Sequence, residues 1–208
     1  MDTPSDAEFL ADSLAPLCAP LHHAFEKAHE VAEGHFIQYD MIDQFHAREL
    51  TDLTRAHARR ELRTAQDAGT LGDWRLFTLK GGQTVLRCGL LRAKVLHVAP
   101  GKTVPHPGHN RARVSYYRNP PSSLFGVKDS RLLLLWSVDK QEGEVEFRVV
   151  RPLGAWKYGE VHLSDFDLML PRESADLMTM EFTPDDSEIQ LSFELGDEEN
   201  YDDLADGW

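Results

Sequence analysis

Arg48, Arg55, Arg59 and Arg63 recur at steps of seven, four and four, which on a helix makes one ridge interrupted only by Asp52. Like charges four residues apart cost roughly 0.2–0.5 kcal/mol per pair, so the ridge makes most sense where an anion answers it. A second basic group follows in HNRARVSYYRNPP, where Arg111, Arg113 and Arg118 bracket Tyr116 and Tyr117. Guanidinium groups beside aromatic faces hold phosphates and stack bases. The residues expected to meet nucleic acid are Arg55, Arg59, Arg63, Arg111, Arg113, Tyr116 and Tyr117.

The far end of the chain carries the opposite chemistry. Residues 181–208 hold 11 acids and no Lys or Arg, closing on GDEENYDDLADGW. Hydrophobic anchors are spaced among these acids, a pattern that suits a basic protein groove. There, charge would set the encounter and the aromatics the residence time. Tyr201, Asp202, Asp203 and Trp208 are the expected partner-binding residues.

Metal and catalytic chemistry are thinner. His22, Glu26, His29 and Glu33 fall at steps of four, three and four, on one helical stripe. His22 and His29 would stand two turns apart, about 10 Å, too far to close on one ion. His106 and His109 in PHPGH would need His97 or Cys88 to complete a site, and spacing alone does not bring them together. Asp129 or Asp139 with Glu146 and Arg148 has the composition of a metal-dependent nuclease core. Yet Glu144, Glu146 and Arg148 alternate with Val145, Phe147 and Val149, which is the pattern of a half-exposed strand. The sequence has no G-x-S-x-G elbow, phosphate loop or dinucleotide fingerprint. It assigns no catalytic residue, no metal ligand and no cofactor.

Charge is distributed in blocks along the 208 residues, whose formal net charge is −13. Residues 1–47 are net −8, residues 48–118 net +9, residues 119–180 net −3 and residues 181–208 net −11. The global charge opposes sequence-blind binding to nucleic acid at long range, while the basic middle favours it at short range. Either a phosphate partner meets that middle or the acidic ends fold over it. Two cysteines exclude a disulfide scaffold and suit a reducing cytoplasm. No apolar run reaches the roughly 18 residues of a membrane span, and the opening MDTPSDAEFL is acidic where a signal peptide would be basic.

These residues need elements to hold them. Residues 1–72 read as helical, with a first helix from Asp6 to Ala15 and Pro20 opening the next. A break is expected near Gly34, with Asp40 capping the helix that follows. After Asp73 the period becomes that of strands: 74–79, 84–91, 93–98, 113–117, 132–138, 145–150, 160–170, 177–182 and 188–195. Turns at Gly81-Gly82, Pro100-Gly101 and Asp139–Gly143 suggest antiparallel connections. The expected class is α+β: a helical region 1–72, a curled antiparallel sheet or barrel over 73–195, and an acidic tail 196–208.

Three functions follow as expectations. The first is a non-enzymatic cytoplasmic interaction or regulatory protein, of antitoxin, immunity or defence-regulator type, binding a basic protein surface through its acidic segments. The second is a nucleic-acid-binding subunit using the basic middle 48–118. The third is an enzyme with a dispersed site, built from residues such as His106, His109 and Asp129.

Overall fold

A computed structural model describes residues 6–41, 47–79, 81–101, 103–119, 130–139 and 143–179. The helical region opens with α1 (Asp6–Leu14), which passes through a 3-10 turn (Ala15–Leu17) into α2 (Cys18–Gln38). Leu10, Leu14 and Leu17 are buried on this run, followed by Leu21, Phe25, Ala28 and Ala32 on α2. Their three- and four-residue steps make the apolar stripe that packs on the sheet. Pro20 stands in the first turn of α2, where its missing N–H is not required.

The expected break at Gly34 does not occur, and α2 runs through that residue. The helix ends at Gln38, and Asp40, two residues on, takes a left-handed conformation at φ 51. Asp40 N–H donates to Ile37 O at 3.2 Å and Met41 N–H to Phe36 O at 2.9 Å. That pair of bonds is a Schellman closure. Asp40 therefore stops the helix behind it rather than capping the one ahead. Glycine adopts this conformation without a Cβ penalty, so Asp40→Gly is expected to raise stability by about 0.5–1 kcal/mol in urea unfolding. An unchanged midpoint would mean that the aspartate side chain compensates locally.

The third helix, α3 (Ala47–Asp67), lies against α2 and buries Thr54, Ala58 and Leu62. A turn leads from it into a six-stranded sheet: β1 (Arg75–Thr78), β2 (Thr84–Cys88), β3 (Leu91–His97), β4 (Ser130–Val138), β5 (Val145–Pro152) and β6 (Ser164–Leu170). Gly72, at φ 58, holds this turn, and a Cβ there would stand 3.1 Å from the Pro16 Cβ. Trp74 Nε1 donates to Ser13 O at 2.7 Å, tying the start of the sheet to α1.

The sheet order is β1-β2-β3-β4-β5-β6, open rather than closed into a barrel. Four of the five pairings are antiparallel, as expected, but β3 and β4 run parallel. A parallel pair needs a long crossover. Here it carries the helix α4 (Arg111–Tyr117), in a stretch read from sequence as partly strand. The local reason is Asn110, whose side chain accepts from Ala112 N at 2.9 Å and Arg113 N at 3.2 Å. That N-cap satisfies two otherwise orphaned donors and opens a helix. Pro100-Gly101 thus begins the crossover instead of a hairpin. Beyond β6, the start of the expected strand 177–182 is the short helix α5 (Ser174–Met178), with Leu177 buried in the core. The expected strand 188–195 and the partner-binding residues Tyr201, Asp202, Asp203 and Trp208 lie outside the described residues.

Two apolar layers hold the sheet. Leu132, Leu134 and Trp136 of β4 face α1, α2 and α3 in the larger core. Leu133 and Leu135 face the other way, against Val104, Tyr117 and Trp156. Being buried on both faces explains why β4 reads as a continuous apolar run rather than an alternation.

Candidate anion-binding face

The α4 side of the sheet is built on an unusual register. Arg75 of β1 lies opposite Arg87 of β2, Arg87 opposite Arg92 of β3, and Arg92 opposite Arg131 of β4. Residues directly opposite share a face, so four arginine positions form one row across four strands. The partners on the other face are Leu91, Ala93 and Val95, which belong to the helical-side core. Like charges placed directly opposite are destabilising, by about a few tenths of a kcal/mol per pair.

Each member has a distinct local role. Arg75 turns to the carbonyls of Gly72 and Trp74, both at 3.1 Å. Arg131 donates to Ser115 O at 2.5 Å, in the last turn of α4, where a cation suits the helix dipole. The Arg87 guanidinium carbon lies 4.6 Å from the centre of the Phe77 ring. The Arg92 side chain makes no ion pair among the described residues.

Two residues along β3 and on the same face, Lys94 stands beside the row, with Nζ 5.5 Å from the centre of the Tyr116 ring. Burial, and then the positive charge of Arg113, pull the Lys94 ammonium below the ordinary lysine range. None of Arg75, Arg87, Lys94, Arg113 and Arg131 has an acidic partner among the described residues either. The chain itself agrees: no Asp or Glu occurs between Asp73 and Asp129, while that interval holds ten lysines and arginines.

The residues expected from sequence to meet nucleic acid do not converge. Ala58 and Leu62 of α3 sit in the helical-side core, whereas Tyr117 of α4 sits in the opposite one. The ridge on α3 and the basic group on α4 are therefore on opposite sides of the sheet. The α3 ridge is partly occupied. Arg48 and Arg55 share Asp52 at 3.8 Å and 3.2 Å, and Arg59 donates to Gly82 O at 2.9 Å. Arg63, Arg111 and Arg113 are exposed.

Both tyrosines have structural roles. The Tyr116 hydroxyl lies 2.8 Å from Arg92 O and 3.0 Å from Leu132 O, and burial pushes the phenol well up. Tyr117 is 1% exposed, donates to Pro105 O at 3.0 Å, and is pushed up to about 12 by burial. An enclosed ring of that kind offers no face to a base. Tyr116 and Tyr117 thus share a segment with Arg111 and Arg113, with both hydroxyls spent on backbone carbonyls.

The remaining candidates are held in structural contacts. His22 is buried with Nε2 3.0 Å from Leu170 O, Glu26 pairs with Arg172, and His29 Nε2 lies 3.3 Å from Glu33. His106 Nδ1 accepts from Gly108 N at 3.1 Å, its ring against Tyr158. Among the described residues no three His, Cys, Asp or Glu side chains gather as a metal site. Arg148 is gripped by Asp167 through two bonds of 2.6 Å, which raises the guanidinium's proton affinity. His162 joins Asp167 at 3.0 Å. Beside them a cavity of about 270 Å³ is lined by Val98, Ser137, Glu146, Arg148 and Met169 among others. Asp129 lies outside the described residues.

His97 ends β3 on the helical side, its ring 4.5 Å from that of Trp136. Burial, and then Arg55, hold its pKa below the ordinary histidine value of 6.5. The unfolded chain therefore takes up this proton first as pH falls, and the folded chain loses stability from about pH 6.5 downward. His97→Gln is expected to flatten that part of the pH profile in thermal unfolding. An unchanged slope would assign it to other histidines. Comparison with family models, curated proteins and solved structures finds no match to this chain.

Proposed function

We infer that this protein binds nucleic acid through the β1–β4 face beside α4, with Arg87, Arg92, Lys94 and Arg113 meeting phosphate. The observation that carries the reading is the arginine row, which crosses four strands without an acidic partner among the described residues. The net charge of −13 does not oppose it at contact. At physiological salt the Debye length is about 8 Å, so distant acids are screened while phosphates against the sheet are not. From the sequence reading, Arg111 and Arg113 stay with this face, while Arg55, Arg59 and Arg63 belong to the other side. Titration of labelled oligonucleotide by fluorescence anisotropy over a salt series tests it. Affinity should fall steeply with salt, and Arg113→Gln should reduce the logarithmic slope by about 0.7–0.9. Binding that ignores both salt and the substitution sinks the reading.

The imbalance of 11 acids against no Lys or Arg over residues 181–208 favours a second reading, an antitoxin- or immunity-type protein whose acidic end fills a basic protein groove. Deleting residues 196–208 takes the net charge from −13 to −7 and distinguishes the two. If the tail competes for the chain's own basic face, nucleic-acid affinity rises on deletion. If it fills a partner, capture of that partner is lost, and nucleic-acid affinity stays where it was.

A further inference from the structure

The arginine row does not stand on a purely charged surface. Phe77 lies on the same face of β1 as Arg75, and is 41% exposed despite its size. Leu79, two residues on, is 43% exposed. The Arg87 guanidinium sits over the Phe77 ring at 4.6 Å. Val85 stands between Phe77 and Lys94 in the register, so ring and ammonium are two strands apart, roughly 10 Å. An open aromatic ring, a guanidinium stacked on it and two further cations one or two strands away are the parts of a strand-reading platform. Each base has a π-face that such a ring accepts, and the backbone beside it needs cations.

We propose that the ligand of this face is single-stranded nucleic acid, with one base stacked at Phe77 and Arg87 and the adjoining phosphates on Arg92 and Lys94. This rests on the nucleic-acid reading above and narrows it. A duplex keeps its base faces stacked on one another and presents phosphates and edges only, so it can use the cations but not the ring. Arg87 serves both parts, holding the ring plane and carrying charge toward the backbone.

The test uses the full chain with fluorescein-labelled single-stranded homothymidine of about 20 nucleotides and a duplex of equal length. Single strand should bind at least tenfold tighter than duplex at equal salt. Phe77→Ala should weaken single-strand binding fivefold or more and leave duplex binding unchanged. Phe77→Tyr, which keeps the ring and guards against a folding defect in the alanine variant, should retain wild-type affinity. Placing 2-aminopurine in the oligonucleotide should give fluorescence quenching with the wild type and with Phe77→Tyr, but not with Phe77→Ala. Equal affinity for both forms, with no effect of Phe77→Ala on either, would overturn the stacking site and leave the phosphate face standing. Loss of neither form when Arg92 and Lys94 are both changed to Gln would instead remove the nucleic-acid reading on which it rests.

Discussion

Changing Arg87, Arg92 and Lys94 together to glutamine should weaken nucleic-acid binding about a hundredfold at 0.1 M salt. Each phosphate contact with a single strand contributes about 0.7 to the slope of log affinity against log salt. Three lost contacts remove about two logarithmic units between 1 M and 0.1 M. Stability should move the other way. Arg87 and Arg92 face each other across β2 and β3, and burial, followed by the Arg113 charge, already pulls down the Lys94 pKa. Opposed like charges cost a few tenths of a kcal/mol each, so the triple variant should unfold at the same or a slightly higher temperature. A purely structural role for these cations makes the opposite forecast, with thermal stability falling and binding unaffected. Paired measurements of melting temperature and salt-dependent affinity separate the two. A hundredfold loss with an unimpaired fold is the signature of charge kept for a ligand.

How far this face was legible in the sequence depends on which interactions are local. The stripe on α2 could be read because Leu21, Phe25, Ala28 and Ala32 recur at helical steps within one segment. The switch to strands after Asp73 was legible for the same reason. The arginine row was not, because Arg75 and Arg131 meet only through the pairing of four strands. Register is a tertiary property, and a slip of one residue would send the whole set to the opposite face. The same limit placed Arg55, Arg59 and Arg63 in one site with Arg111 and Arg113, although the sheet stands between them. α4 was missed for a local reason. Its alternation of Arg111, Arg113 and Ser115 with Ala112, Val114 and Tyr116 resembles a strand, and the cap from Asn110 outweighs it. Asp40 was read from type alone. An aspartate suits both a helix start and a left-handed stop, and only the bonds of Ile37 and Phe36 decide between them.

Asp165→Ala should destabilise the protein by about 3 kcal/mol, a larger effect on folding than any change proposed on the open face. Arg151, at the end of β5, is 2% exposed and so is almost wholly removed from water. Its Nε donates to Ser130 Oγ at 3.0 Å and its Nη1 to the Asp165 carboxylate. These bonds join the start of β4, the end of β5 and the start of β6, where the β5–β6 register shifts at Arg151 and Pro152. Removing the carboxylate takes an ion-pair partner from a buried guanidinium, and breaking such a pair costs about 3–5 kcal/mol. The lower end applies because the Asp165 side chain keeps 24% of its exposure. Arg151→Met combined with Asp165→Ala should recover part of the loss, since a methionine of similar length fills the space without a charge. Urea unfolding of the two single variants and the double variant measures that coupling. If Asp165→Ala alone stays within about 0.5 kcal/mol of wild type, the guanidinium is held by its other contacts and the ion pair is dispensable. The position also bears on binding, because Ser130 directly precedes Arg131, the last member of the arginine row. Loosening it should cost affinity together with stability, whereas the changes at Arg87, Arg92 and Lys94 cost affinity alone.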